Sequence, residues 1–183
     1  TNTFNYYNAM KLQMLRCLFS AIFFKFVLTV SADVKLPNVL GSGMVLQRDL
    51  AVPIWGWADK REKVSVIFAG QTKTTKANDE GKWMIKLDPL KANSKATSLV
   101  VTGSNKISLD NVLVGEVWIC SGQSNMEWPI RASMNGKEEI AKSDHPQIRL
   151  FDVPGHTTSP LPREQGAGGW QVCSPKTSSG FSA

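Results

Sequence analysis

The sequence predicts a β-sandwich followed by the beginning of an α/β domain, with the change at about residue 111. Two observations predict this order. Between residues 33 and 110, short runs of alternating apolar and polar residues are separated by turn residues at the spacing typical of a β-sandwich. At Val112 the alternation is replaced by a nearly continuous apolar run, which is typical of a strand that is covered on both faces.

Alternation with a period of two defines the strands of the first domain. Val64, Val66 and Phe68 form one such series, and a second series begins at Trp83, which is therefore expected in the core. Pro53 limits its strand to an edge or a bulge, because proline cannot donate a backbone hydrogen bond. Seven strand candidates result: 44–47, 51–57, 64–68, 71–76, 83–87, 98–102 and 106–109.

The second domain begins with a predicted buried strand from Val112 to Ile119, which places Trp118 in the core. A short helix is predicted over 136–142 and a second strand over 147–153. Strand, helix and strand in this order predict a parallel pair with a right-handed crossover. Ser174 and Pro175 have the pattern of a helix start. Two strands are too few to bury a parallel sheet, so we expect the domain to be truncated at its C-terminus.

Residues 1–32 are predicted to be a leader, with a secretory signal peptide from Met10 to Ala32. Lys11 and Arg16 precede an apolar stretch of about 14 residues, shorter than the ~20 needed to span a bilayer. We therefore expect a secreted, periplasmic or lysosomal protein without a stable membrane anchor after cleavage. The alternative is a buried or membrane-surface helix.

The positive charge does not indicate nucleic-acid binding. The formal net charge is +6, but the first 32 residues carry three cations and no acid, so the rest has a net charge of only +3. Its cations are scattered rather than clustered. No CxxC or HExxH motif is present, so neither a metal site nor a cofactor is expected. Cys120 and Cys173 either pair in an oxidising compartment or remain two buried thiols.

Ser124 is the candidate nucleophile. It follows the predicted strand in a small-residue turn, where a side chain is exposed and backbone N–H groups are free to stabilise negative charge. Gly122-Gln-Ser-Asn-Met126 is half of a nucleophile elbow, because Met126 replaces the second glycine of G-x-S-x-G. Ser121 is a competing candidate, but it precedes Gly122 and is expected to cap or fill the turn. By spacing alone, an ordinary turn serine is the alternative.

The run from Gly115 to Pro129 resembles the signature block of the sialate O-acetylesterase family, in the SGNH hydrolase superfamily. Met44–Arg48 and Trp55–Trp57 resemble blocks of the family's N-terminal β-domain, and Ile148–Phe151 resembles a later block. The resemblance extends from about Leu36 to Ala183. It implies a jelly-roll-like sandwich and a flavodoxin-like SGNH domain.

The resemblance also implies a function: a serine esterase that removes O-acetyl groups from sialic acid or related acetylated carbohydrates. Ser124 would be the nucleophile and its backbone N–H an oxyanion donor. Gln123, Asn125 and Trp128 are the candidate substrate-binding residues. The family's Asp-x-x-His block has no match, so we expect its members to lie beyond Ala183 and this chain to be inactive alone.

Three alternatives remain beside this interpretation. His145 and His156 are the two histidines of the chain, and neither has the family spacing of a triad base. Glu116 and Glu127 flank the block, but Glu116 is expected to pair structurally rather than to act in a glycosidase pair. A different class of function is a non-catalytic carbohydrate-binding or interaction module, built on the β-sandwich and its tryptophans.

Overall fold

The computed structural model describes residues 33–153 and 168–182. Seven strands follow one another in the first part of this range, in agreement with the number expected. They are β1 (Val45–Gln47), β2 (Val52–Trp57), β3 (Lys63–Phe68), β4 (Gln71–Lys76), β5 (Lys82–Leu87), β6 (Asn93–Thr102) and β7 (Lys106–Gly115). The predicted leader, including Met10–Ala32, lies outside the described residues.

The strands form two sheets. Five strands lie in the order β1-β7-β6-β3-β4, and β2 pairs with β5 in a separate antiparallel sheet. The pairing of β1 with β7 is parallel, whereas the other pairs in the larger sheet are antiparallel. Pro53 lies in the two-stranded sheet, as the edge-strand prediction requires.

Both sheets contribute side chains to one hydrophobic core, so this part of the chain is a two-layer β structure. Val64, Val66 and Phe68 of β3 are buried, and their neighbours along the strand are more exposed. Trp83 of β5 is also buried, which confirms its predicted place in the core. The period-two pattern therefore identified the inner faces correctly.

Strand β7 continues through the predicted change at residue 111. Ser98 and Ser108 donate hydrogen bonds to one carboxylate oxygen of Asp110, at 2.7 and 3.1 Å, so this polar residue is accommodated at the surface of the strand. After the exposed Asn111, residues 112–114 are all buried, as expected of a strand covered on both faces. The ranges 33–110 and 111–183 remain predictions of domain extent.

The prediction of a buried strand as far as Ile119 is wrong. Strand β7 ends at Gly115, and the following residues are not in a strand. Trp118 is 84% exposed and Ile119 is 92% exposed, so Trp118 is not a core residue. Strand β1, the neighbour on this side, ends opposite Gly115, and no partner strand covers residues 116–119 within the described part of the chain.

The later elements are short. Two 3₁₀ helices, Ser124–Glu127 and Ile130–Ala132, precede helix α1 (Gly136–Ala141). Strands β8 (His145–Phe151) and β9 (Trp170–Cys173) pair in an antiparallel sheet, and helix α2 (Pro175–Ser178) follows. The helix predicted over 136–142 and the helix start at Ser174 are thereby confirmed, the latter with a capping box. The strand predicted over 147–153 is present, but it begins and ends two residues earlier.

The predicted parallel crossover pair is wrong, because β8 pairs with β9 and not with the segment after Val112. Strand β9 was not predicted. Its Trp170 contacts Phe151, with ring centroids 5.2 Å apart, and donates a hydrogen bond from Nε1 to the Val39 carbonyl at 2.8 Å. Arg149 of β8 donates to Asn111 Oδ1 at 3.1 Å. These contacts attach the β8–β9 pair to the β-sandwich.

Among the described residues, no helix has the length and apolar character required to cross a membrane.

Candidate active site

Ser124 is the first residue of a four-residue 3₁₀ helix. Gln123 precedes it in an extended conformation, with φ −88° and ψ −165°. The Met126 N–H donates to the Gln123 carbonyl at 2.8 Å and closes the turn. Ser124 is exposed, as the prediction of a nucleophile requires, but it lies after an exposed coil and not directly after a strand.

The predicted substrate-binding residues surround Ser124 in sequence and are all exposed. The indole of Trp128 is held at one edge, because its Nε1 donates to the Ala132 carbonyl at 2.9 Å. Its backbone N–H donates to the Asn125 carbonyl at 3.2 Å. With 60% of its surface exposed, Trp128 presents a fixed aromatic ring beside the turn. Such a ring suits the apolar face of a sugar.

The C-terminal segment of the described chain supports this turn from the other side. Ile130 N–H donates to the Phe181 carbonyl at 3.1 Å, and Arg131 N–H donates to the Ser179 carbonyl at 3.2 Å. Ser182 donates its hydroxyl to the Met126 carbonyl. Three hydrogen bonds from residues far apart in sequence therefore fix the 3₁₀ helices that contain and follow Ser124.

No histidine or carboxylate forms a hydrogen bond with Ser124 within the described ranges 33–153 and 168–182. His145 lies at the start of β8, where its backbone N–H donates to the Ser143 carbonyl at 3.0 Å and its side chain is exposed. His156 lies outside the described residues. The geometry thus presents a nucleophile candidate and a candidate sugar platform without a base in contact.

Glu116 is paired, as expected. It accepts a hydrogen bond from Gln47 Nε2 at 3.0 Å and one from Arg48 Nε at 2.5 Å. These two bonds, with the positive charge of Arg48, lower the pKa of the Glu116 carboxyl. The bond to Glu116 and its negative charge in turn raise the pKa of Arg48. A carboxylate held in its ionised form in this way is unsuited to donating a proton in glycoside cleavage.

Gln47 and Arg48 belong to the Met44–Arg48 block of the resemblance, but the sequence does not identify them as residues near the site. The signal that could have identified them is their position, since a polar Gln-Arg pair directly follows the apolar Met44–Leu46 run.

Both remaining cysteines of the described chain are free. Cys120 is exposed, and Cys173 is buried, so they do not pair in this structure. Burial, together with the nearby charge of Asp144, raises the pKa of the Cys173 thiol. Within the part of the chain that the structure describes, no group of three or more histidine, cysteine, aspartate or glutamate side chains could hold a metal ion.

Comparison with known proteins identifies relatives that share one name. The chain is 28% identical over 144 residues to sialate O-acetylesterase of Homo sapiens, a match that covers 72% of this chain and 26% of the relative. It is 31% identical over 131 residues to sialate O-acetylesterase of Mus musculus, covering 65% of this chain and 24% of the relative. The chain is related to the sialate O-acetylesterases. The resemblance seen in the sequence is thereby confirmed.

A solved structure supports the same relationship. The crystal structure of a carbohydrate acetylesterase from Xanthomonas citri is similar with a TM-score of 0.78 and 35% sequence identity, covering 82% of this chain and 35% of that one. No protein-family model matches the chain. The chain spans about a quarter of the length of the sialate O-acetylesterases that it matches.

Proposed function

We propose that this chain is part of a serine esterase that removes O-acetyl groups from carbohydrates, with sialic acid among the candidate substrates. The observation that carries the proposal is the signature run of residues 115–129 in a chain whose relatives are named sialate O-acetylesterase and carbohydrate acetylesterase. The exposed position of Ser124 supports a nucleophile there. We further propose a jelly-roll-like sandwich, an SGNH arrangement of the second domain and export through the secretory pathway.

The chemistry assigned to Ser124 is acyl transfer. Its Oγ attacks the acetyl carbonyl carbon while a base accepts the hydroxyl proton, and the sugar hydroxyl leaves after the tetrahedral intermediate collapses. Water then hydrolyses the acetyl-serine to acetate and restores the hydroxyl. The Ser124 backbone N–H has no acceptor among the described residues, which leaves it available to the oxyanion. Trp128 would orient the sugar ring, with Gln123 and Asn125 offering hydrogen bonds.

The base is proposed to come from outside the residues described in the structure. No imidazole contacts Ser124 in those residues, and a general base must lie within hydrogen-bond reach of the proton that it abstracts. We therefore expect the isolated chain to show no turnover of an acetyl ester. Robust hydrolysis by the isolated chain would contradict this and would direct attention to His145 and His156.

A chimaera tests the nucleophile. Residues 33–183 would replace the matching part of the Xanthomonas citri carbohydrate acetylesterase, and hydrolysis of an acetyl ester would be followed. Ser124→Ala should lower kcat by about 10³-fold or more, as expected for loss of a nucleophile. Ser121→Ala is the matched control, since Ser121 is an exposed serine of the same segment, and it should keep most of the activity. An active Ser124→Ala chimaera would refute the assignment.

A second candidate function is carbohydrate binding by the β-sandwich itself. One observation favours it: Trp55 and Trp57 of β2 are only partly buried, and they alternate with the buried Val52, Ile54 and Gly56. Titration of the chain with acetylated glycans, followed by NMR, distinguishes binding to the β-sandwich from binding beside the Ser124 turn. Loss of binding in Trp55→Ala favours the sandwich, whereas loss in Trp128→Ala favours the Ser124 turn.

A further inference from the structure

Strands β1 and β7 end side by side, and their chains then separate. The last pair in their parallel register is Gln47 with Gly115. The Arg48 N–H continues the ladder by one bond, to the Gly115 carbonyl at 2.9 Å. After this point the chain that follows β1 turns at Asp49, which has a positive φ of 59°, and the chain that follows β7 continues toward Ser124. The direction of the Ser124 segment is therefore set at this junction.

Side chains from the end of β1 hold the first residues that leave β7. Gln47 Oε1 accepts a hydrogen bond from the Val117 backbone N–H at 2.8 Å, and Gln47 Nε2 donates to Glu116 Oε2 at 3.0 Å. Arg48 Nε donates to the other carboxylate oxygen of Glu116 at 2.5 Å. The three bonds depend on one another. Arg48 holds the Glu116 carboxylate, Glu116 orients the Gln47 amide, and the oxygen of that amide accepts from the Val117 N–H.

Val117 is the last attachment before the Ser124 turn. Within the described chain, residues 118–123 form no hydrogen bond with the β-sandwich. Trp118 and Ile119 are 84% and 92% exposed, so packing does not fix this segment either. On its N-terminal side, the position of Ser124 relative to the sandwich therefore depends on where Val117 is held, whereas the hydrogen bonds with Ser179, Phe181 and Ser182 hold the turn on its C-terminal side.

We propose that Gln47, Arg48 and Glu116 form an exit clamp that positions the segment carrying Ser124. The importance of this position rests on the proposed esterase function, although the clamp itself can be tested without it. These are positioning residues, since none of them contacts Ser124. Arg48 and Glu116 side chains are 45% and 49% exposed, and exposed ion pairs contribute little to stability. The paired, charge-assisted bonds instead fix geometry, and small displacements of a reacting group are costly in catalysis.

Hydrogen exchange of the Val117 amide tests the clamp in this chain as it exists. Gln47→Ala removes the acceptor directly. Glu116→Ala leaves that acceptor in place and removes only the carboxylate that orients Gln47. If the bond between Gln47 and Val117 did not depend on Glu116, this variant would not change exchange at Val117. We expect both variants to accelerate exchange at Val117 by about tenfold or more, as for loss of a protecting hydrogen bond, with far-UV circular dichroism unchanged. Unchanged exchange in Glu116→Ala would overturn the proposal.

Asp79→Asn is the matched control, because Asp79 pairs with Lys60 at 3.0 Å in another exposed ion pair and lies away from this junction. It should leave Val117 exchange unaltered. Glu116→Gln, which conserves shape, serves as a second variant if Glu116→Ala unfolds. Its amide has one acceptor oxygen and no charge, so it cannot accept from both Gln47 and Arg48, and it should also accelerate exchange.

In the chimaera, the clamp variants should lower kcat by about tenfold with little change in KM, since misplacement acts on the reaction rather than on sugar binding. A change confined to KM would overturn the positioning role. The two proposals fail separately. Unchanged exchange refutes the clamp whatever Ser124→Ala does, and an active Ser124→Ala chimaera refutes the esterase assignment whatever the exchange shows.

Discussion

Met126 occupies the space that a side chain at Gly122 would need. A Cβ added to Gly122 would lie 2.7 Å from Met126 Cγ, well inside van der Waals contact. The pairing explains why the turn combines glycine two residues before Ser124 with a large residue two positions after it. The methionine that departs from G-x-S-x-G is thus packed against the glycine that is retained, and together they flank Ser124.

Gly122→Ala should displace the 3₁₀ helix that begins at Ser124. The added methyl group collides with Met126, and overpacking of this kind costs on the order of 1 kcal/mol or more. We expect shifted NMR resonances for the Met126 methyl group and the Ser124 amide. Gly169→Ala is the control, because an added Cβ at Gly169 meets nothing within 4 Å. In the double variant with Met126→Ala, the Ser124 amide resonance should return to its wild-type position. A displacement that persists in the double variant would show that Met126 is not the cause.

The strands of the sandwich could be predicted from sequence because alternation is a local signal that directly reports which face is covered. The three buried residues of β3 and Trp83 of β5 follow it closely. The start of β6, at Asn93, and the end of β7, at Gly115, could not be located in this way. Asp110 and Asn111 have the composition of a turn, yet Asp110 is satisfied by serine hydroxyls and Asn111 adopts a positive φ of 59° within the strand.

The wrong predictions after residue 111 concern which strands pair with each other. An apolar run such as Val117–Ile119 carries no information about whether another strand lies beside it, so its exposure could not be predicted. Strand β8 was expected from its residues, but its partner β9 begins 19 residues after β8 ends, and register between distant segments is not encoded locally. The flanking motif predicts the position of Ser124, whereas the hydrogen bonds that Ile130 and Arg131 donate to the Phe181 and Ser179 carbonyls, which support its turn, were not predictable.

The clamp carboxylate should make the segment after β7 sensitive to acid. The pKa of Glu116 is lowered by its bonds from Gln47 and Arg48, and that of Asp49 by its bond from Lys91, 2.8 Å away. A lowered folded-state pKa means that the stabilisation is fully present above the unfolded-state pKa and is lost as pH falls through the folded-state value. Protection of Val117 should therefore be high at neutral pH and decline at acid pH.

Glu116→Gln is the reference for that measurement. After correction for intrinsic exchange rates, the difference in protection between the wild-type chain and this variant should be constant near neutrality and vanish in acid. A difference that grows as the pH is lowered would have the wrong sign for a carboxyl of lowered pKa and would refute this explanation.

The two described cysteines should differ sharply in reactivity. Cys120 is exposed, whereas Cys173 is buried and its raised pKa keeps it protonated, so less thiolate is available to react. In a Cys17→Ser background, a thiol reagent at neutral pH should modify Cys120 at least about tenfold faster than Cys173. Peptide mapping by mass spectrometry identifies the site. Recovery of a Cys120–Cys173 disulfide from the native protein would show instead that the pair forms in an oxidising compartment.

Ser143 and Ser178 form a buried hydroxyl pair, with Oγ atoms 2.7 Å apart, that joins the end of α1 to α2. Ser143 also donates to the Ile140 carbonyl at 2.7 Å, so its single hydroxyl proton is used there and Ser178 is the donor within the pair. Ser143→Ala should leave the Ser178 hydroxyl, which is 1% exposed, without its partner. We expect a loss of about 1–3 kcal/mol in the free energy of unfolding, measured by urea denaturation.

Ser178→Ala should cost less, because the remaining Ser143 hydroxyl keeps its bond to the Ile140 carbonyl. The double variant should therefore lose less than the sum of the two single variants, since it removes both members of the pair together. Ser133→Ala, at an exposed hydroxyl, is the control and should stay within about 0.5 kcal/mol of wild type.

Because the Ser179 and Phe181 carbonyls next to α2 accept bonds from the residues after Trp128, Ser143→Ala should also speed hydrogen exchange at Ile130 and Arg131. Additive losses with unchanged exchange would mean that the hydroxyl pair does not support the Ser124 turn.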